Sequence, residues 1–257
     1  MWTGWHEPLS TGGTDLRSVN THKSAWDEDY RRRGDLWGGA PPPLPDLPAG
    51  AAVLELGCGN GKTLAALIRQ PWSVTAVDIS PRAVSLARRR PGTAAANLVV
   101  ADAACLPFRG EVFDAVFLVH VAGHLPETGR RNVASAVCRF RGEVFDAVFL
   151  VHVAGHLPET GRRNVASAVC RVLRPGGAAF FRAFSVEDMR AGKGVETEAQ
   201  TFSRGNGIIT HYFTETEVEE LFAPLAPVSV RTRRWQMRIR GGDLPRAEIE
   251  AVFRKTG

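Results

Sequence analysis

One block of 32 residues stands twice in succession, Phe108–Arg139 and Phe140–Arg171, reading FRGEVFDAVFLVHVAGHLPETGRRNVASAVCR both times. Each copy carries FDAVFLVHV, a run too apolar for a solvated loop, so both copies have to be buried. Solenoid arrays usually need three or more units, and these two lie inside a longer pattern of another kind. The letter-perfect identity reads as a recent tandem duplication or as an error in the recorded sequence. The two copies begin and end at equivalent points, so a second right-handed crossover is allowed and the sheet should gain one strand–helix unit.

The surrounding pattern alternates apolar runs with amphipathic stretches. AAVLELG (Ala51–Gly57), WSVTAVDI (Trp72–Ile79), ANLVVADA (Ala96–Ala103), FDAVFLVHV (Phe113–Val121) and AAFFRAF (Ala178–Phe184) read as strands, the last following the turn RPGG (Arg174–Gly177). Helices are expected over Ser24–Arg33, over Lys62–Arg69, from Pro81 to Arg90 behind an N-cap at Ser80, and near Arg130–Arg139. Nearly continuous apolar strands alternating with helices predict an α/β fold, a doubly wound and mostly parallel sheet covered on both faces. Residues 1–50 read as an N-terminal lid helix with a proline-rich connector, Leu36–Gly50; residues 51–257 form the main domain, with 140–171 as the repeated unit. In the tail, THYFTETEVEELF (Thr210–Phe222) predicts a helix with Thr214 ahead of its acidic first turn. PVSVRTRRWQMRIRG (Pro227–Gly241) predicts one long bent strand or a hairpin, with Trp235, Met237 and Ile239 on its buried face. LPRAEIEAVFRK (Leu244–Lys255) predicts a closing helix.

Composition narrows the function classes. No stretch is long and apolar enough to span a bilayer and the N-terminus lacks the apolar core of a signal peptide, so a cytoplasmic protein without a membrane partner is expected. Cys58, Cys105, Cys138 and Cys170 include no CxxC pair, which argues against a zinc site or a disulfide framework. Net charge is +5, with basic runs scattered along the chain as a solvated surface would have them. The arginines around Arg234, Arg238 and Arg240 keep an RNA partner in view.

The loop ELGCGNGKT (Glu55–Thr63) carries the most chemistry. A P-loop would need glycine at position 56, which is Leu56, and the dinucleotide fingerprint would need a third glycine at 62, which is Lys62. The spacing is instead GxGxG, with Gly57, Gly59 and Gly61 free to turn sharply and approach a ligand closely. Glu55 beside it would repel a pyrophosphate and suits a cationic ligand. This loop resembles motif I of the class I S-adenosylmethionine-dependent methyltransferases, and the resemblance runs on in order through Asp78-Ile79, Asp102-Ala103 and RVLRPGGAAFFRAF, covering roughly Ala51 to Phe184.

That resemblance implies S-adenosyl-L-methionine as cofactor. It assigns Glu55, Gly57, Cys58, Gly59 and Gly61 to the loop around it, Asp78 to the ribose hydroxyls, Ile79 to the adenine face and Asp102-Ala103 to the adenine amino group. Copy one is expected beside the first strand, with Val119 and His120 lining the cofactor, and copy two between it and the AAFFRAF strand. His124, His211 and Tyr212 are the candidates for a general base, and Trp37 for a residue closing over the cofactor; His120 reads equally well as a core histidine. ADAACLPF followed by FDAVF resembles the family's small-molecule branch. Neither an NPPY-like motif nor a proline–cysteine nucleophile pair follows the fourth strand, which disfavours methylation of nucleic-acid bases at N6 or C5. The expected reaction is methyl transfer to a small-molecule acceptor. The alternatives are an RNA methyltransferase and a cofactor binder impaired by the repeat.

Overall fold

The computed structural model describes residues 27–28, 30–31, 44, 46–101, 108, 113–119, 145–204, 208–239 and 241–257. The first half alternates strands and helices: β1 (Ala52–Leu56), α1 (Leu64–Leu67), β2 (Ser73–Asp78), α2 (Pro81–Arg89), β3 (Asn97–Val100), β4 (Ala115–Val119), β5 (Phe145–Val151), α3 (Glu159–Val172) and β6 (Leu173–Phe184). After these come β7 (Val195–Glu198), β8 (Thr201–Ser203), β9 (Ile209–His211), α4 (Glu215–Leu221), β10 (Ala226–Ile239) and β11 (Gly242–Arg254). Eight strands make one sheet in the order β10-β11-β6-β5-β4-β1-β2-β3. Neighbours from β6 to β3 are parallel; β11 runs antiparallel to both β6 and β10. This is the mostly parallel, Rossmann-like sheet that the strand–helix alternation predicts.

Local chemistry sets the helix starts. Ser80 Oγ accepts the Ala83 N–H at 3.1 Å, and Pro81 occupies the first helical position, where its missing N–H costs nothing. Thr214 Oγ1 accepts the Glu217 N–H at 3.1 Å, ahead of Glu215 and Glu217 in the first turn of α4. In α3, Val165, Val169 and Val172 recur at three- and four-residue spacing and lie buried against the sheet.

The repeat occupies the centre of the sheet. Copy one (β4) lies beside β1 and copy two (β5) lies between it and β6, as anticipated. The two strands pair residue for equivalent residue: Ala115 opposite Ala147, Phe117 opposite Phe149 and Val119 opposite Val151. In-register parallel pairing stacks like on like. The Phe117 and Phe149 rings lie 4.0 Å apart and 3° from parallel, and Phe180 of β6 continues the stack at 4.3 Å from Phe149. Every residue of β4 is buried, which explains why its sequence shows no polar alternation.

The structure corrects several expectations. Leu244–Lys255 is no helix: Gly242–Arg254 is strand β11, held by β10 on one side and β6 on the other. RPGG is not a free turn but part of β6, absorbed where the β5–β6 register shifts between Phe145 and Ala147 and where Gly176 takes φ 81°. Residues 209–211 pair as a strand in a small antiparallel sheet, β7-β8-β9, so His211 ends β9 and the helix begins only after Thr214. α1 spans four residues, not eight. β10 is a single strand at the sheet edge, where Trp235 is half-buried and Met237 is 37% exposed instead of facing the core. The helix expected near Arg130–Arg139 lies outside the described residues.

Candidate functional site

The site grows from the carboxyl ends of β1 and β2. The Gly57 and Cys58 N–H groups both donate to the Val77 carbonyl, at 2.7 and 3.0 Å, and tie the start of the loop to β2. Gly57, Gly59 and Gly61 have φ of 70°, 54° and 80°, a left-handed conformation that L side chains rarely adopt. A Cβ on Gly59 would fall 2.6 Å from the Tyr30 hydroxyl, and one on Gly61 would fall 3.1 Å from the Ala87 backbone. The predicted spacing thus closes a tight turn wedged between α2 and Tyr30.

Asp78 ends β2 directly beneath this turn. Its two carboxylate oxygens accept from the Gly59 N–H and the Ser80 N–H, both at 2.9 Å. Burial outweighs these bonds and pushes its pKa up to about 6. Glu55 is 2% exposed, and its Oε2 finds no hydrogen-bond partner among the described residues. Burial, with Asp78 adding like charge, raises its pKa to about 8. The Cys58 thiol is buried between them and stays protonated for the same reason. Ile79 is half-buried just past the strand end, and Val119 ends β4 two strands from β2. A buried carboxyl with one oxygen unpartnered among the described residues, a glycine turn and an apolar rim suit a ligand with a cationic end, hydroxyl donors and a flat apolar part.

The N-terminal segment contributes residues that sequence reasoning missed. Tyr30 is buried against Gly59, and Asp27 takes the Ser80 hydroxyl and, at 3.2 Å, the Arg82 N–H at the start of α2. Within a polar segment, Tyr30 was the available signal. Asp102, Ala103, His120, His124 and Trp37 lie outside the described residues.

His211 and Tyr212 stand apart from the glycine turn. His211 is buried, with Nδ1 2.8 Å from Thr201 Oγ1 and Nε2 2.7 Å from Glu217 Oε1, so both ring nitrogens are engaged in clasping β8, β9 and α4 together. It lines a cavity of about 250 Å³ with Glu159, Arg162, Glu198 and Gln200. Tyr212 is buried beside Phe184, whose ring also receives Arg190 at 4.0 Å and His152 at 4.5 Å. His152, the copy-two counterpart of His120, has φ 53° and pairs with Glu248 of β11 at 3.1 Å. Among the described residues, no three His, Cys, Asp or Glu side chains gather as metal ligands.

Residues 53–141 match a family model described as a methyltransferase domain, and residues 130–181 match a second model of the same description. Together these two matches span residues 53–181, about half of the chain, and identify a methyltransferase domain. The first model ends with copy one and the second runs through copy two, so the methyltransferase pattern is read across the repeat. Among similar proteins, a 2-methyl-6-phytyl-1,4-hydroquinone methyltransferase from Synechocystis sp. is 37% identical over 93 residues, 35% of this chain and 28% of that protein. A tRNA (carboxymethyluridine(34)-5-O)-methyltransferase from Arabidopsis thaliana is 34% identical over 91 residues, 35% of this chain and 21% of that one. The chain thus spans less than a third of the length of either relative. In fold it resembles the Burkholderia thailandensis 1,6-didemethyltoxoflavin-N1-methyltransferase, solved with 1,6-didemethyltoxoflavin and S-adenosylhomocysteine, at TM-score 0.51 and 18% identity over 97% of this chain and 94% of that one.

Proposed function

We propose that this methyltransferase transfers a methyl group from S-adenosylmethionine to a small-molecule acceptor by in-line displacement. The observation that carries the reading is the glycine turn with the Asp78 carboxylate and the buried Glu55 carboxyl, whose Oε2 has no hydrogen-bond partner among the described residues, at the ends of β1 and β2. When bound, the cofactor supplies a methyl group on a sulfonium, already a good leaving group. The protein's part is to hold and orient. Gly57–Gly61 bring backbone close to the ligand; Asp78 has lone pairs left for hydroxyl donors; Glu55 offers a charge to a cationic end; and Ile79 and Val119 offer apolar walls. Tyr30 over Gly59 helps exclude water. Proximity and alignment can supply most of the acceleration such a displacement needs.

The small-molecule acceptor is favoured over RNA by the state of the arginine-rich edge strand. Arg234 is bound by Glu187 at 2.5 and 2.7 Å, Arg238 by Asp243 at 3.4 Å, and Arg231 by Glu250 at 3.1 Å. Carboxylates at each of these arginines reduce the positive field that a phosphate backbone requires. The hydroquinone relative and the toxoflavin neighbour act on small molecules by name; the tRNA relative keeps RNA as the second reading. The engaged nitrogens of His211 favour a structural role for it over that of a base. Calorimetric titration with S-adenosylhomocysteine, followed by radiolabelled methyl donor on cell extract split into nucleic-acid and small-molecule fractions, tests the proposal. Label in the small-molecule fraction supports it; label in RNA overturns the acceptor class; binding without label in either fraction marks a non-catalytic binder.

A further inference from the structure

The in-register pairing of the two copies has a consequence for the cleft. The edge that β4 presents to β5 and the edge that β5 presents to β6 consist of the same residues in the same phase: Ala115, Val116, Phe117 and Leu118 on one, Ala147, Val148, Phe149 and Leu150 on the other. β6 meets copy two with Ala178, Ala179, Phe180 and Phe181, and copy one could meet it identically. The side chains agree with the backbone. Phe149 stacks between Phe117 and Phe180, so without it Phe117 would stack on Phe180 directly. Arg174 lies 2.8 Å from Asp146 and 3.9 Å from Asp114, the same aspartate of the two copies.

We infer that copy two is a removable spacer that sets the distance between the cofactor cradle on β1–β2 and the wall at the carboxyl end of β6, and with it the reach demanded of the acceptor. This deepens the proposed function and rests on it. The wall is the cluster of His152, Phe184, Arg190 and Tyr212, carried by β5, β6 and the segment after them. With both copies present, β6 lies three strand steps from β1; with one it would lie two. Each step is about 4.8 Å, so the cleft of this chain is wider by about that amount than the one that a single copy would build. The retained copy would supply its own histidine to Glu248 if it took up the register with β6 that places His152 there. The wall would keep its chemistry and change only its distance.

The test is excision of residues 140–171, which yields the same chain as excision of 108–139. Spin labels attached through a keto-bearing non-natural amino acid at Val100 (46% exposed) on β3 and at Arg231 (74% exposed side chain) on β10 report the width of the sheet. The expected result is cooperative unfolding, a label distance shorter by about 5 Å, and affinity for S-adenosylhomocysteine within about three-fold of the full chain. Cleft width is read with two probes, 5′-amino-5′-deoxyadenosine carrying a phenyl ring on a two-carbon or a six-carbon tether. The full chain should prefer the longer probe by about ten-fold and the excised chain the shorter. An excised chain that fails to fold cooperatively, an unchanged label distance, or the same tether preference in both chains overturns the inference. Failure of the full chain to bind S-adenosylhomocysteine overturns instead the reading on which it rests.

Discussion

Replacing Glu55 by Gln probes the cradle through protons as well as through affinity. In the free protein, burial and the neighbouring Asp78 hold the Glu55 pKa at about 8, so at pH 7 the side chain is mostly the neutral acid and Gln is its near-isostere. The folded state then keeps a proton that the unfolded chain releases from the ordinary carboxyl range upward. Stability therefore falls as pH rises from about 4.5 to about 8, by up to about 5 kcal/mol, with Asp78 adding a contribution of the same sign up to about pH 6. This is opposite in sign to a carboxylate held in a salt bridge. A ligand carrying an ammonium next to Glu55 draws it into the ionised form, so binding should release up to one proton between about pH 6 and 8. Affinity for S-adenosylhomocysteine should rise by at least about ten-fold in all across that range and level off above pH 8. Above pH 8 the charge-assisted bond is worth about 1.5–3 kcal/mol, so Glu55→Gln should bind at least ten-fold more weakly there. Below pH 6.5 the two proteins should converge. Calorimetry in two buffers of different ionisation enthalpy counts the proton, and thermal melts across the same pH range read the stability. The two carboxyls titrate as a coupled pair, so the variant should lose the upper step and keep the lower one. Identical pH slopes of affinity and melting for wild type and Glu55→Gln would refute the reasoning.

Three further outcomes follow from the packing. Gly61→Ala forces a methyl toward the Ala87 backbone at φ 80°, and should lower stability by about 1–3 kcal/mol in urea melts while weakening S-adenosylhomocysteine binding at least about ten-fold. Phe149→Ala empties the middle of the three-ring stack and should cost about 3–5 kcal/mol, measured by the shift of the denaturation midpoint at unchanged m-value. His211→Gln removes the clasp between Thr201 and Glu217 and should lower stability by about 1–3 kcal/mol while leaving the methyl-transfer rate within about five-fold; loss of the rate at unchanged melting temperature would restore it as a base.

What was legible in the sequence depended on whether a residue's role is local. The glycine turn, Ser80 with Pro81, and Thr214 are set by φ, by a missing N–H and by a side-chain acceptor within three residues, and each sits where the sequence implies. Even the placement of the two copies was legible, because identical strands can exchange identical edges. β11 was not. RAEIEAVFR is rich in helix formers, yet Ala247, Ile249, Ala251 and Phe253 are buried in alternation with Glu248 and Glu250. A strand carrying two glutamates becomes stable only once partners far away in sequence are in place: His152 and Arg182 for Glu248, Arg182 and Arg231 for Glu250. Propensity is worth tenths of a kcal/mol per residue, and backbone pairing on both sides with buried apolar residues outweighs it. His211 was misjudged for the same reason. Its sequence neighbours suggested the mouth of a helix, but its partners, Thr201 ten residues before and Glu217 six after, meet it only because residues 195–211 fold back as a three-stranded sheet. The residues named from the sequence that the structure brings together, Glu55 to Gly61 and Asp78, lie within one loop and the strand beside it. Those it missed, Asp27 and Tyr30, arrive from a segment about 30–50 residues upstream, and a cofactor site closed in this way is assembled only when the whole domain has formed.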